Sequence, residues 1–153
     1  MEVAVAVVGR MRDPLADAVA EYEARAARYW SLAVHEVREE SARASSADVV
    51  RRKEGERLLE RISPSAQLVV CDERGVSLSS EQFANWIGER RDRAHDVAFV
   101  IGGAYGLDAP LRSRSSLVLA LAPWTLPHEL ARLVLAEQLY RAGTLLRGEP
   151  YHK

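Results

Sequence analysis

The chain alternates short apolar runs with longer stretches in which apolar residues recur every three or four positions. Val3–Val8 and Val97–Ile101 contain only apolar residues, a composition typical of strands that are buried on both faces. Because helical stretches separate these strands, consecutive strands need crossover connections and are expected to pair in parallel. The sequence therefore predicts an α/β fold in one domain over residues 1–153, with a mostly parallel sheet and helices on both faces.

The same patterns predict the remaining elements. The first helix is expected to open at Pro14 with Asp13 as its N-cap and to run to Trp30, because proline suits the first helical position. Asp72–Gly75 is expected to close the third strand as a turn. Further strands are predicted at 32–37, near a sheet edge, and at 67–71 and 117–121. Further helices are predicted at 47–62 after Ser45 or Ser46, to about 91 after Ser79 or Ser80, and from 128 to about 143.

Charge and cysteine content narrow the class of protein. The 21 basic and 22 acidic side chains give a net charge of −1, so any RNA binding must use a local basic patch or a surface shared by two subunits. The single cysteine, Cys71, cannot form an internal disulfide and fits a cytoplasmic protein. No apolar run approaches the ~18 residues of a membrane span, and neither a signal peptide nor a membrane anchor is expected.

Two loops that follow predicted strands favour a ligand site. Gly102, Gly103 and Gly106 form a turn directly after a strand, and glycine lets a ligand approach the backbone closely. The second apolar run, 116–122, breaks into Pro123–Pro127, where two prolines fix the backbone. Loops at the carboxyl ends of parallel strands line the crevice of open α/β sheets. Taken alone, however, the glycine turn could serve packing only, and the proline segment could simply begin a helix.

Cys71 and Asp72, at the end of the third predicted strand, add a third loop to the same sheet edge. A nucleophilic cysteine here would need a histidine base held by a carboxylate, and His128 with Glu129 or Glu137 is the available set. The chain lacks the small-residue turn that exposes such a thiol, which favours Cys71 as a small residue that lines a pocket. His128, which directly follows Pro127, is expected either to begin the last helix or to contact the crevice, and the second alternative is favoured.

The four histidines do not predict a metal site. No two of them stand at the spacing of metal ligands, and a single cysteine argues against a structural zinc site. His35 and His95 are expected at the surface. The polar aromatic end of the chain, Tyr151-His152-Lys153, is of a kind that is usually disordered, so any role for it needs independent support.

Three segments in combination resemble one known family. They are VIGGAYGL at 100–107, WTLPHELARLVLAEQLYRA at 124–142 and RGEPYHK at 147–153. They resemble the bacterial SPOUT-class methyltransferases that modify a pseudouridine of large-subunit ribosomal RNA at ring nitrogen 3, and the agreement covers the whole chain. The resemblance implies an alpha-beta knot fold with a carboxyl-terminal trefoil knot, and a two-fold homodimer in which the cofactor of one subunit faces the other subunit.

The resemblance also implies roles for individual residues. S-adenosylmethionine is expected to bind in a bent shape among the three loops, with Tyr151 and His152 over the partner's cofactor and His152 as a candidate base. Four basic residues are expected to hold RNA phosphates and to stabilise negative charge on the ring: Arg141, Arg147, Lys153 and Arg132. The near-neutral composition favours a substrate that is recognised as a shaped surface, the assembled ribosome. The alternatives are a non-catalytic nucleotide-binding α/β module and a cysteine hydrolase. The residues expected to bind the cofactor are Cys71, Asp72, Gly102, Gly103, Gly106, Ala122, Pro123, Trp124, Thr125, Leu126 and Pro127.

Overall fold

The computed structural model describes residues 1–41, 43 and 46–152, with the side chain of His152 left out. Five parallel strands form one sheet in the order β2-β1-β4-β3-β5, which confirms the predicted α/β class. The trefoil knot stays a prediction. The strands are β1 Glu2–Val8, β2 Ser31–Val37, β3 Gln67–Ser77, β4 Val97–Ile101 and β5 Leu117–Ala120, and the helices are α1 Ala16–Ala26, α2 Ala47–Leu59, α3 Ser80–Asp92, α4 Ala109–Arg114 and α5 His128–Leu146.

Helices cover both faces of the sheet, as predicted. On one face, α1, α3 and α5 contribute to a cluster of buried side chains that includes Phe99 of β4 and Leu135 of α5. On the other face α2 and α4 contribute Leu58 and Leu111 to a smaller cluster. All five residues of β4 are buried, because this strand lies in the middle of the sheet and is covered on both sides. Because all five strands run parallel, their carboxyl ends share one edge of the sheet, and the loops of interest lie at that edge.

Serine caps set the starts of two helices. The Ser79 hydroxyl accepts from the Gln82 N–H at 3.1 Å, and the Gln82 side chain accepts from the Ser79 N–H at 2.8 Å, which is a complete capping box. Ser46 caps α2 by accepting from the Val49 N–H at 3.3 Å. The alternative cap, Ser45, lies outside the described residues. Both helices begin where the serine pattern predicts.

The predicted start of the first helix is wrong. The chain makes a turn at 13–15, and α1 begins at Ala16, with Leu15 as an N-cap that has no side-chain hydrogen bond. The helix also ends at Ala26, well before Trp30. Packing decides these limits: Val19 and Ala26 are buried against the sheet, and the chain must leave the helix at Ala26 to enter β2 at Ser31.

The third strand does not close at Asp72–Gly75. Strand β3 continues to Ser77, and both Cys71 and Val76 pair with Leu119 of β5, so the residues between them form a bulge. A Cβ atom on Gly75 would lie 2.4 Å from the Val118 carbonyl oxygen, so only glycine permits this approach. Val76 pairs with β5, a long-range contact that no local pattern reveals. The predicted turn is therefore a bulge within a longer strand.

Candidate functional site

A cavity of about 370 Å³ opens at the carboxyl ends of β3, β4 and β5. That volume is within the range of roughly 300–1,000 Å³ that small-molecule sites occupy. The three loops selected from the sequence meet here, and only Pro123 and Pro127 of the eleven expected cofactor residues stay outside the lining. The lining includes Cys71, Asp72, Gly102, Gly103, Gly106, Ala122, Trp124, Thr125 and Leu126, together with Glu73, Arg74, Tyr105 and Ala131.

The glycine turn is a tight bend that excludes side chains at its base. The Gly106 N–H donates to the Gly103 carbonyl at 3.0 Å, and Gly106 has a φ of +76°, which side chains disfavour. A Cβ on Gly102 would lie 2.8 Å from the Gly106 carbonyl carbon. The turn therefore presents bare backbone to the cavity, which allows a ligand to approach its amides.

The segment from Ala122 to Pro127 supplies polar main-chain groups. Within the described residues, the N–H groups of Trp124, Thr125 and Leu126 donate to no main-chain acceptor, which leaves them free to bind a ligand. The Thr125 hydroxyl donates to the Glu73 carboxylate of the β3 bulge. This contact ties two of the three loops together.

Charged side chains hold the β3 bulge in place. Arg74 donates from Nε to Asp72 Oδ1 at 3.1 Å and from Nη2 to Oδ2 at 2.9 Å. The Arg74 guanidinium thereby holds the pKa of Asp72 below its usual range, so this carboxylate is ionised at neutral pH. Arg112 of α4 approaches the same carboxylate at 3.5 Å. The cavity thus has a fixed negative group at one wall.

The cysteine hydrolase is not supported by the structure. Burial raises the pKa of the Cys71 thiol to about 12, whereas a nucleophilic cysteine needs a thiolate near neutral pH. His128 does not line the cavity, which corrects the expectation that it contacts the crevice. Its Nε2 lies 3.3 Å from Glu129 Oε1 and packs against Gly9, where a Cβ would come within 2.7 Å of it. The imidazole therefore lies against the turn that follows β1, and not in the cavity with Cys71.

Two of the three expected catalytic residues form a separate cluster, with Arg141 on α5 and Tyr151 in the short 3₁₀ helix Pro150–His152 that follows it. Arg141 donates from Nη2 to Glu137 Oε1 at 2.6 Å, and its guanidinium lies 4.9 Å from the Tyr151 ring centroid. The Tyr151 hydroxyl donates to the same Glu137 oxygen at 3.1 Å, and its ring packs on Tyr140 at 4.5 Å. Neither Arg141 nor Tyr151 lines the cavity of its own chain. The His152 side chain and Lys153 lie outside the described residues.

Arg132, expected to hold a phosphate, is instead part of a buried ion-pair network. It is only 9% exposed, and it donates from Nε to Glu23 at 2.6 Å and from Nη1 to Glu36 at 2.8 Å. Burial alone would raise the pKa of Glu36, but the Met11 amide and Arg132 lower it overall. Arg132 therefore links α5 to α1 and β2. The expectation that it holds an RNA phosphate is wrong, because its guanidinium is already bound by two carboxylates.

Sequence reasoning missed one buried acid beneath the site. Glu54 of α2 is 3% exposed, and its Oε1 would lie 3.0 Å from a Cβ on Gly103. Oε2 accepts from the Glu40 N–H at 3.0 Å, while Oε1 has no partner among the described residues. A signal was present: Val50, Glu54 and Leu58 are spaced four residues apart, which places all three on one face of a helix.

The described residues match neither of two further classes of feature, a metal centre and a membrane-spanning helix. No group of three or more histidine, cysteine, aspartate or glutamate side chains is placed to hold a metal ion. None of the helices in the described part of the chain is long and apolar enough to cross a membrane.

Comparison with known sequences identifies full-length relatives. The family described as "Predicted SPOUT methyltransferase" matches residues 1–152. A protein of Gemmatimonas aurantiaca named ribosomal RNA large subunit methyltransferase H is 59% identical over 154 residues, with 100% of each chain covered. A protein of the same name from Trichlorobacter lovleyi is 44% identical over 154 residues, with 99% of each chain covered.

Solved structures of low sequence identity share the fold. A probable methylase family protein from Haemophilus influenzae matches with a TM-score of 0.56 and 10% identity, over 99% of this chain and 70% of that one. A putative methyltransferase from Legionella pneumophila, solved in complex with the bound cofactor SAM, matches with a TM-score of 0.50 and 13% identity, over 93% and 66%. The fold, the three-loop cavity and the match over nearly the entire length agree, and the chain belongs to the SPOUT methyltransferase family.

Proposed function

We propose that this chain transfers a methyl group from S-adenosylmethionine to a pseudouridine of large-subunit ribosomal RNA, at ring nitrogen 3. The cavity at the ends of β3, β4 and β5 carries the proposal, because its size and its free main-chain amides suit a nucleoside ligand. The names of the full-length relatives support ribosomal RNA as the substrate. Residues 1–153 act as one domain, in the cytoplasm, and the near-neutral charge favours recognition of RNA inside the assembled ribosome.

The residues of the cavity fit the parts of S-adenosylmethionine. The amides of Trp124, Thr125 and Leu126 are suited to the edge of the adenine. The carboxylates of Asp72 and Glu73 suit the hydroxyl groups of a ribose or a positive charge. The bare glycine turn admits a ligand close to the backbone. The bound cofactor supplies an electrophilic methyl group, and the protein supplies position and proton removal.

A second copy of the chain is part of the proposed site. Arg141 lies ten residues beyond Ala131, which lines the cavity, and ten helical residues span about 15 Å. The cluster of Arg141 and Tyr151 is therefore too far along α5 to serve the cavity of its own chain. In a two-fold dimer, the cluster of one subunit can face the cavity of its partner.

Tyr151, Arg141 and His152 have different roles in proton removal and charge stabilisation. Burial and its hydrogen bonds raise the pKa of Tyr151, so this phenol stays neutral. Its O–H is donated to Glu137, and its ring is suited to pack against the target base. Glu137 holds Arg141 in place, where a guanidinium can stabilise the negative charge that develops on the ring. His152 is then the candidate to accept the proton, because imidazole titrates near neutral pH.

Methyl transfer to ribosomes from cells that lack the chain tests the proposal. Transfer is expected, with mass spectrometry placing the new methyl group on a pseudouridine of large-subunit RNA. Gly102→Ala should abolish it, because the added Cβ would lie 2.8 Å from the Gly106 backbone. Gly55→Ala is the matched control, since its Cβ meets nothing closer than 3.5 Å. Binding of the cofactor without any transfer would favour the non-catalytic module.

Mixing two inactive variants tests the shared site. A Gly102→Ala subunit lacks a working cavity and a Tyr151→Ala subunit lacks a working cluster. If each site combines both subunits, the mixed dimer holds one intact site, and activity returns to a substantial fraction of the unmodified dimer. If cavity and cluster act within one chain, the mixture retains no more activity than its components. A chain that stays monomeric at assay concentrations contradicts the dimer directly.

A further inference from the structure

We infer that a second groove holds the phosphates of the single-stranded RNA next to the target base; the inference rests on the proposed function. This groove, here called the arginine groove, lies between the start of α2, α4 and the β3 bulge and has a volume of about 540 Å³. Its walls carry Arg51, Arg52, Arg74 and Arg112, and Tyr105 stands at its edge. Arg74, Tyr105 and Leu107 line this groove and the cofactor cavity alike, so a strand bound in one continues into the other.

The groove is positive although the chain is not. Four arginines and two aspartates, Asp48 and Asp108, line it, whereas the whole chain has a net charge of −1. Both aspartates are engaged locally. Asp48 pairs with Arg51, and Asp108 caps α4 by accepting from the Leu111 N–H at 3.1 Å. Asp72 also pairs with two of the groove's arginines, Arg74 and Arg112. Four arginines against three aspartates leave one positive charge for a ligand, which is the sign that a phosphate chain requires.

Two of the arginines have unused hydrogen-bond donors. Arg52 is exposed and makes no ion pair within the described residues. The other three arginines of the groove are paired, Arg51 with Asp48 and both Arg74 and Arg112 with Asp72. The Nε of Arg112 is buried and has no partner in the described part of the chain. Arg51 also donates to the Tyr105 carbonyl at 3.4 Å, which joins the groove wall to the glycine turn. The groove thus offers free donors on a fixed frame.

Exposed aromatic rings favour a single strand over a duplex. Tyr105 is 46% exposed and Trp124 is 78% exposed, and both line the cofactor cavity. The two rings line one cavity and are not scattered singly over the surface, and exposed apolar groups gathered in one place mark binding sites. Unpaired bases stack on such rings, and base-paired RNA does not offer its base faces. A strand with its phosphates along the arginines and a flanking base on Tyr105 would leave the target base at the cavity mouth.

Salt dependence of ribosome binding tests the groove without relying on methyl transfer. Binding to ribosomes that lack the modification is measured by co-sedimentation from about 50 to about 200 mM KCl, a range over which phosphate contacts weaken strongly. Each phosphate contact on a single strand adds about 0.7 to the slope of log affinity against log salt. Arg52→Gln should reduce the slope by about 0.7, and Arg52→Gln with Arg112→Gln by about 1.4. Over this fourfold change in salt, the double variant's affinity should fall about sevenfold less than that of the unmodified chain.

Matched variants separate the groove from a general effect. Arg93→Gln removes an exposed arginine at the end of α3, on the opposite face of the sheet, and should leave the slope unchanged. Tyr105→Ala should weaken binding about 5- to 150-fold, the usual range for loss of one stacked base, while Tyr105→Phe should retain it. Calorimetry should show unchanged cofactor affinity for Arg52→Gln.

Three results overturn the groove. The slope is the same for the unmodified chain and the double variant, or Arg93→Gln reduces it equally, or Tyr105→Phe loses as much binding as Tyr105→Ala. A chain that binds ribosomes with the predicted slopes but transfers no methyl group would refute the proposed function and leave the groove as an RNA site.

Discussion

Replacing Glu54 by glutamine is expected to stabilise the protein, and more at high pH than at low pH. Glu54 is 3% exposed, and burial raises the pKa of its carboxyl group above the model-compound value of 4.5. The Glu39 and Glu40 carboxylates raise it further, while the Glu40 amide and the Arg57 guanidinium act in the opposite direction. The net effect is a carboxyl group that is harder to ionise in the folded protein than in the unfolded chain.

The sign of the pH effect follows from this difference. Below about pH 4.5 the group is neutral in both states and costs nothing. As the pH rises toward the raised folded pKa, the unfolded state releases its proton first, so the free energy of unfolding decreases. A glutamine has the same shape and does not ionise, so Glu54→Gln removes the loss.

The expected gain is about 1 kcal/mol at pH 8 and close to zero at pH 4. An unpaired buried polar group costs about 1–3 kcal/mol, and more when it is charged. Glutamine still leaves one amide atom unpaired, so the gain is only the extra cost of the charge, which Arg57 and the Glu40 amide reduce in part. For a chain of this length the gain corresponds to about 2–4 °C in Tm, which calorimetry at the two pH values can measure. Glu56→Gln, on the exposed side of the same helix, should change neither value. A loss of stability at pH 8, or an equal gain at both pH values, would refute the reasoning.

Three further substitutions test other parts of the structure. Gly75→Ala should lower the free energy of unfolding, measured in urea, by at least about 2 kcal/mol, because its Cβ would lie 2.4 Å from a carbonyl oxygen. Its control, Gly55→Ala inside α2, should raise that free energy by about 0.5–1 kcal/mol. Equal effects of the two substitutions would contradict the bulge. Cys71→Ser should retain methyl transfer, and the native thiol, with its pKa raised to about 12, should react slowly with iodoacetamide at pH 8. Loss of methyl transfer together with fast alkylation would show that the thiol is reactive and takes part in the reaction. Arg132→Met should cost about 1–3 kcal/mol in urea unfolding at pH 7, because it leaves the carboxylates of Glu23 and Glu36 without their partner. The cost should shrink at acid pH, because Glu36, whose pKa the Met11 amide and Arg132 lower, then takes up a proton. A variant as stable as the native chain at pH 7 would show that the network is not needed.

Local patterns were sufficient to predict most of the fold. The wholly apolar run at 97–101 is a central strand, and the serine caps start α2 and α3 where the pattern indicates. The three loops were also predictable as neighbours, since parallel strands bring their carboxyl ends to one edge. These features depend on residues that are close in sequence or on a general property of parallel sheets.

The features that sequence reasoning missed depend on contacts between distant residues. The β3 bulge exists because Val76 pairs with Leu119, and Arg132 is buried because Glu23 and Glu36 come from two other elements. Helix α4 was missed because it has only six residues, too few for a periodic pattern to show. Tertiary packing decides each of these.

A crystal structure of the chain grown with S-adenosylmethionine tests the central claim most directly. The account predicts one cofactor per chain in the cavity at the ends of β3, β4 and β5, in contact with the amides of residues 124–126, and Tyr151 of a second subunit facing it. A cofactor bound elsewhere on the chain, or a cavity lined only by the chain's own Tyr151 and Arg141, would contradict it.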